Sequence, residues 1–184
     1  VFQTLLKKTA RALAKSRIPY MIIGGQAVLL YGEPRLTKDI DITLGVGVDE
    51  LARVLRLVAQ LKLKVLVDAV EDFVTKTMVL PALDEKSGIR TDFVFSFSPY
   101  ERQAIERAQG IKFGKDTVKF ASLEDVIIHK VIAGRARDIE DIKSILLKNP
   151  EYDPDYIEKW LTEFDTSLGE AFLDRFRKIV SEVK

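Results

Sequence analysis

The chain has 184 residues, 47% of them hydrophobic and 31% charged, with a net charge of +1 and no cysteine. That length fits one domain, or one domain with an extension, and carries enough apolar side chain for a sizeable core, which excludes a disordered chain. The absence of cysteine excludes a disulfide scaffold, thiolate-bound zinc and a cysteine nucleophile, and it suits a reducing cytoplasm. A near-neutral charge leaves no global electrostatic footprint for nucleic acid, although a local basic patch stays open. No apolar run reaches the roughly 18 residues that span a bilayer, so no membrane segment is expected. The opening run from Val1 to Lys8 is too interrupted by charge to read as a signal peptide. A single asparagine, Asn149, among many Lys and Glu residues has a thermophile's cast.

Phe2, Leu5, Leu6, Thr9 and Leu13 keep helical spacing, which predicts an amphipathic helix over 2–16 closed by Pro19. Residues 20–23 read as a short buried strand, Gly24-Gly25 as a turn, and 26–31 as a helix stopped near Gly32 and Pro34. A second strand is expected over 39–44 and a helix over 48–61, with Leu51, Val54, Leu55 and Val58 on one face. A short strand over 65–67 and a short helix over 69–76 follow. Residues 78–82 and 89–95 read as strands joined by a hairpin loop over 84–88. A helix over 99–108 and strands over 111–113 and 117–120, paired around Gly114, complete this part. Ser122-Leu123-Glu124-Asp125 resembles a capping box opening a helix to about Ala133. A helix over 138–147 comes next, and two more are expected after Pro150 and Pro154. Strands mixed with helices, then a run of helices, predict an α+β fold: a core over 1–121 and a C-terminal helical extension over 122–184 that packs on it.

Two aspartates interrupt the second strand, in Lys38-Asp39-Ile40-Asp41-Ile42-Thr43-Leu44. Asp is depleted in strands because its short side chain competes with the backbone for hydrogen bonds. Alternation puts Asp39 and Asp41 on one face, roughly 6–7 Å apart at Cα. Paired carboxylates persist when protonated, solvated or bridged by cations. A third acid, Asp92, lies in the apolar strand Arg90-Thr91-Asp92-Phe93-Val94-Phe95, on the face opposite Thr91, Phe93 and Phe95. If that strand pairs beside the first, three carboxylates converge. Such a donor set suits Mg²⁺, and two ions roughly 3.5–4 Å apart would clamp an in-line phosphoryl displacement. Asp92 would then help to deprotonate an attacking hydroxyl. Upstream, Gly24-Gly25 at a helix start lets backbone N–H groups approach a phosphate. Each feature alone has a plainer reading: a turn, a capping pair, an edge-strand acid.

Together, Ile23-Gly24-Gly25, thirteen residues, Asp39-Ile40-Asp41-Ile42 and the later Asp92 resemble the nucleotidyltransferase superfamily, the DNA polymerase beta-like fold. The resemblance implies a mixed β-sheet flanked by helices, with two Mg²⁺ ions and an NTP as substrate. It implies Asp39 and Asp41 as metal ligands, Asp92 as the completing acid, and Gly24 and Gly25 against the triphosphate. A nearer resemblance is to the AbiEii-like branch, which includes toxin–antitoxin nucleotidyltransferases. It is carried by Arg35-Leu36-Thr37-Lys38-Asp39, by Lys130 on one helix, and by Gly134-Arg135-Ala136-Arg137-Asp138 with Asp141 at the next. This places Arg35, Thr37, Lys130, Arg135 and Asp138 with the nucleotide, where Lys130, Arg135 and Arg137 would neutralise charge on the leaving pyrophosphate. The same residues also read as a charged helical face, with Asp138 as a cap. Many relatives carry Ser after the glycine, where this chain has Gly25 and then Gln26.

The enzyme so implied moves a nucleoside monophosphate from an NTP to a hydroxyl on an RNA end, a protein or a small molecule. A protein partner is compatible with that reading. Two other readings stay open: a catalytically weak NTP- and metal-binding regulatory module, and a nucleic-acid binder using Lys112, Lys115, Lys119, Lys130, Arg135 and Arg137.

Overall fold

A computed structural model describes residues 2–96 and 98–183. Val1 and Lys184, which bound the two expected domains, and Phe97, one of the phenylalanines read as core, lie outside the described residues. The chain forms two compact units, one of residues 1–26 with 37–121 and one of 27–36 with 122–184.

The first unit is a seven-stranded mixed sheet with helices. In chain order its elements are α1 (Phe2–Lys15), β1 (Tyr20–Ile23), the start of α2 (Gly24–Tyr31), β2 (Asp39–Leu44) and α3 (Leu51–Gln60). Then come β3 (Lys64–Val65), α4 (Val70–Thr77), β4 (Val79–Asp84), β5 (Ile89–Phe95), α5 (Pro99–Glu106), β6 (Gln109–Phe113) and β7 (Asp116–Phe120). The sheet order is β3-β4-β5-β2-β1-β7-β6. β2 is sandwiched between β1, which runs antiparallel to it, and β5, which runs parallel. The β4–β5 and β6–β7 hairpins turn at Gly88 and Gly114, both at positive φ. The edges are a two-residue β3 and a β6 carrying Gln109 and Lys112, both poor templates for further pairing.

Alternation decides which face is core. Ile40, Ile42 and Leu44 of β2 stand in register with Thr91, Phe93 and Phe95 of β5, and all six are essentially inaccessible. The intervening residues are Asp41 and Thr43 on β2 and Asp92 and Val94 on β5. Helix α1 buries Leu5, Leu6, Thr9 and Leu13 of the stripe its spacing predicts, with Ala10 beside them and Phe2 only partly covered, and Arg11 ties it to Asp116 of β7. Helix α3 buries Leu51, Val54, Leu57 and Val58. Residue 55, expected on that face, is only partly covered.

The second unit is helical: the end of α2 and residues 32–36 with α6 (Leu123–Ala133), α7 (Ala136–Lys148), α8 (Pro154–Leu168) and α9 (Phe172–Val183). Residues 27–36 group with these helices, and three polar contacts are among those that hold them there. Asn149 Nδ2 donates to the Tyr31 carbonyl at 2.8 Å, Lys148 Nζ to the Gly32 carbonyl at 3.2 Å, and Arg35 to Asp141. The predicted cap at Ser122 is present: its Oγ accepts the Asp125 N–H and donates to Asp125 Oδ2 at 2.6 Å. Tyr156 Oη satisfies the other Asp125 oxygen at 2.9 Å, so that buried carboxylate has partners on both sides. The helix expected after Pro150 does not form. The first helix beyond α7 starts at Pro154 behind the Asp153 cap, ends at Gly169, and α9 follows. Two prolines four residues apart leave no room for a helical turn between them. No helix among the described residues is long and apolar enough to cross a membrane.

Phe93 is fully buried between Ile42 and Leu80 in the neighbouring strands. Phe93→Ala should cost about 3–5 kcal/mol through lost transfer energy and a residual cavity, read as a lowered urea midpoint at unchanged slope.

Candidate functional site

The acidic residues are set by strand geometry rather than by loops. The parallel register pairs Asp39 with Arg90 and Asp41 with Asp92. Residues in register share a face, so Asp39, Asp41 and Asp92 project from the same side of the sheet, the side opposite Ile40, Ile42 and Phe93. Asp39 is exposed, while Asp41 and Asp92 are partly covered. The sequence singles out these three acids but not Arg90, which stands among them. Its Nε donates to Asp92 Oδ1 at 2.8 Å. A basic residue two positions before the acid on the same strand is the available signal, because i and i+2 share a face.

Gly24 closes the site from the β1 side. Ile23 ends β1 in register with Asp41, and α2 begins at the next residue with no intervening loop. Only a positive φ, +66° at Gly24, allows so abrupt a turn. A Cβ there would collide with Asp41 Oδ2, so that carboxylate can sit against the β1–α2 turn because residue 24 has no side chain. The N–H groups of the first turn of α2, with Gly25 and Gln26, lie next in the chain, and such N–H groups have no partner within the helix.

Oxygen donors on one face of the sheet suit a hard divalent cation in kind. In position they are not yet gathered: among the described residues no three His, Cys, Asp or Glu side chains converge as a metal-binding group. The hydrogen bond that turns Asp92 toward Arg90 gives a physical reason.

The second set of expected residues forms a cluster inside the helical unit. Lys130 Nζ lies 2.6 Å from Asp138 Oδ1 and 2.9 Å from Asp141 Oδ2. Arg35 meets both oxygens of Asp141 at 3.1 Å, and Arg135 Nε meets Asp138 Oδ2 at 2.7 Å. Asp138 also accepts the Arg135 backbone N–H, capping α7. Lys130, Asp138 and Asp141 are buried and Arg135 is largely exposed. Burial pushes the Asp138 carboxyl up, but the hydrogen bonds from Arg135 and Lys130 outweigh it and hold the group below its ordinary value. Arg35, Lys130 and Asp138 are thus committed to one another and to Asp141. Thr37 makes a long contact, Oγ1 to the Asp39 carbonyl at 3.5 Å.

The chain belongs to the family described as "Nucleotidyltransferase of unknown function (DUF6036)", which it matches over residues 3–181. It is therefore a nucleotidyltransferase by family. A comparison with curated proteins finds no match. Solved structures share the fold. The solution structure of the antibiotic-resistance factor ANT(2'')-Ia has a TM-score of 0.60 at 18% identity, over 90% of this chain and 92% of that one. A crystal structure of ANT(2'')-Ia in complex with adenylyl-2''-tobramycin has a TM-score of 0.54 at 16% identity, over 100% of both chains. An antigenic nucleotidyltransferase-like protein from Paracoccidioides brasiliensis has a TM-score of 0.56 at 17% identity, over 90% of this chain and 88% of that one.

Removing the cation from the helical cluster leaves two buried carboxylates without their shared partner. Lys130→Met should cost about 3–5 kcal/mol at neutral pH, measured by urea unfolding. The Asp138 carboxyl, held low when folded, contributes stability that is fully present above its unfolded pKa of about 4 and is lost as pH falls through the lower folded value. Asp138→Asn should therefore flatten the decline in urea midpoint below about pH 4, followed from pH 7 to pH 2.

Proposed function

We propose that Asp39, Asp41 and Asp92 bind the divalent cations of a nucleotidyl transfer, with the triphosphate of an NTP against Gly24, Gly25 and the first turn of α2. The single observation that carries this reading is the pairing of Asp41 with Asp92 in parallel register, with the Asp41 carboxylate seated against Gly24. The acceptor oxygen attacks the α-phosphorus, the bond from that phosphorus to the bridging oxygen breaks, and pyrophosphate leaves. Asp92 takes the acceptor's proton. Gly24 lets the triphosphate come close to the backbone, and the N–H groups of α2 meet its negative charge. Magnesium, two ions held by Asp39, Asp41 and Asp92, would neutralise charge on the transferring phosphoryl group and the leaving pyrophosphate.

Arg35, Lys130, Arg135 and Asp138 enter this proposal through the stability of the helical unit, since they are spent on internal ion pairs. The acceptor is a hydroxyl on a small molecule, an RNA end or a protein. The structure of ANT(2'')-Ia with adenylyl-2''-tobramycin supports the first of these only by likeness of fold. The nearer likeness to the AbiEii-like branch, with a toxin–antitoxin setting and a protein partner, belongs to the same proposal. It rests on the Arg35-to-Asp39 and Lys130-to-Asp141 runs. A cytoplasmic place rests on the cysteine-free composition. A second reading, a binding module with little turnover, is favoured by one departure: many relatives carry Ser after the glycine, where this chain has Gly25 and then a buried Gln26.

Incubation with α-labelled NTPs, Mg²⁺ and separate pools of small hydroxylated molecules, RNA and protein should label one pool. Asp41→Asn should lower that labelling by about 10²-fold or more. Labelling that survives the substitution overturns the site, and NTP binding without transfer to any pool selects the second reading.

A further inference from the structure

Among the acids projecting from β2 and β5, Arg90 is the basic member. It stands opposite Asp39 across the register and two residues before Asp92 on its own strand, all on one face. Its guanidinium is half exposed, while the Asp92 side chain it holds is 19% exposed. The hydrogen bond to Asp92 is the main influence holding the guanidinium above its ordinary range. Burial works against it, and the charges of Asp92, Asp39 and Asp41 add to it. One guanidinium thus stands within electrostatic reach of all three carboxylates.

A guanidinium and a divalent cation on the same acidic face compete, because each lowers the negative potential the other needs and they repel one another. Arg90 is the more easily moved. Its side chain is long and half exposed, and an ion pair with one solvated partner is weak. The carboxylate that it holds is also the one on the neighbouring strand, the acid that must turn toward Asp39 and Asp41 for three oxygens to meet.

We propose that Arg90 is the resident counter-ion of the acidic face, and that a divalent cation binds by displacing its guanidinium from Asp92. This rests on the reading of Asp39, Asp41 and Asp92 as the cation site. Arg90 is a positioning residue in this account: it sets the direction of Asp92 in the cation-free protein and makes the face a weaker cation site than three unopposed carboxylates. The opposite role, a lasting brace that keeps Asp92 aimed at the cation, predicts the opposite sign when Arg90 is removed.

The test is Mn²⁺ binding to the full chain without nucleotide, from the free-ion signal in electron paramagnetic resonance, for wild type, Arg90→Gln, Arg90→Lys and Asp41→Asn. Arg90→Gln should bind about three- to tenfold tighter than wild type, since it removes both a competitor for Asp92 and a like charge. Arg90→Lys should fall between them, and Asp41→Asn should lose most of the binding. In wild type, the Arg90 Nε–H resonance, assigned by its absence in Arg90→Lys, should shift on addition of diamagnetic Mg²⁺. Unchanged or weaker Mn²⁺ binding by Arg90→Gln, with Asp41→Asn still impaired, overturns the role of Arg90 and leaves the cation site standing. Wild-type binding by Asp41→Asn, or no binding by any form, overturns the cation site and this inference with it. Should Arg90→Gln fail to fold, the Nε–H signal decides: one that stays unmoved at Mg²⁺ saturation overturns the displacement.

Discussion

The parallel pairing of β2 with β5 is the constraint on which the acidic face depends. A slip of one residue between these strands would place Asp41 opposite Thr91 or Phe93, sending Asp92 through the sheet to the core side. The core face prevents it. Ile40, Ile42 and Leu44 meet Thr91, Phe93 and Phe95 in a layer from which solvent is excluded. Shifting that layer would bury charge and expose large apolar side chains. The apolar half of each strand thus sets the position of the polar half, although no apolar residue touches the chemistry.

Two ionic clusters in this chain obey different physics. On the sheet, Asp39 is exposed, Arg90 is half exposed and Asp41 and Asp92 are partly covered, so water reaches the group, screens its attractions and repulsions in part and lets the Arg90 contact be exchanged. In the helical unit, Lys130, Asp138 and Asp141 are buried and hydrogen-bonded, with Arg35 and Arg135 completing the set. A buried pair of this kind repays its desolvation only when every member keeps its partners, and losing one is costly. Both clusters look alike as runs of charged residues. Exposure separates a face able to trade its cation from one whose charges are fixed in the architecture.

The same contrast separates what is legible in the amino-acid sequence from what is not. Asp39, Asp41 and Asp92 stand out because charged residues at alternate positions of otherwise apolar strands are unusual, and period-two alternation assigns their faces without knowledge of the sheet. Gly24-Gly25 is visible as a turn, but its closeness to Asp41 depends on the antiparallel register of β1 with β2, which is a long-range fact. The partners of Lys130 are hidden for the same reason. Asp138 and Asp141 lie on the next helix, and only the packing of α6 on α7 turns three charges inward. The grouping of residues 27–36 with the C-terminal helices is also beyond local pattern, because the contacts that hold it include Asn149, Lys148 and Asp141, more than 100 positions away. The helix expected after Pro150 fails on local grounds, because the spacing of Pro150 and Pro154 already forbids it.

The energetic scale of the acidic face says how far its chemistry is separable from the fold. Neighbouring strands lie about 5 Å apart, and two carboxylates at that distance repel by about 1 kcal/mol in water and about 3 kcal/mol at an effective dielectric of 20. Partial exposure of Asp92 keeps the pair toward the lower figure. On the other face of the same strands, each fully buried Ile, Leu or Phe contributes about 1.5–3 kcal/mol, and β2 and β5 carry five such residues in register, Ile40, Ile42, Leu44, Phe93 and Phe95. Apolar burial therefore exceeds the acid repulsion severalfold, and Arg90 removes part of what remains. The sheet does not need a bound cation to form, unlike a zinc finger whose ligands fold only around the ion. The free energy of binding a cation here is consequently available to orient Asp92 and a phosphate rather than being consumed in folding the chain.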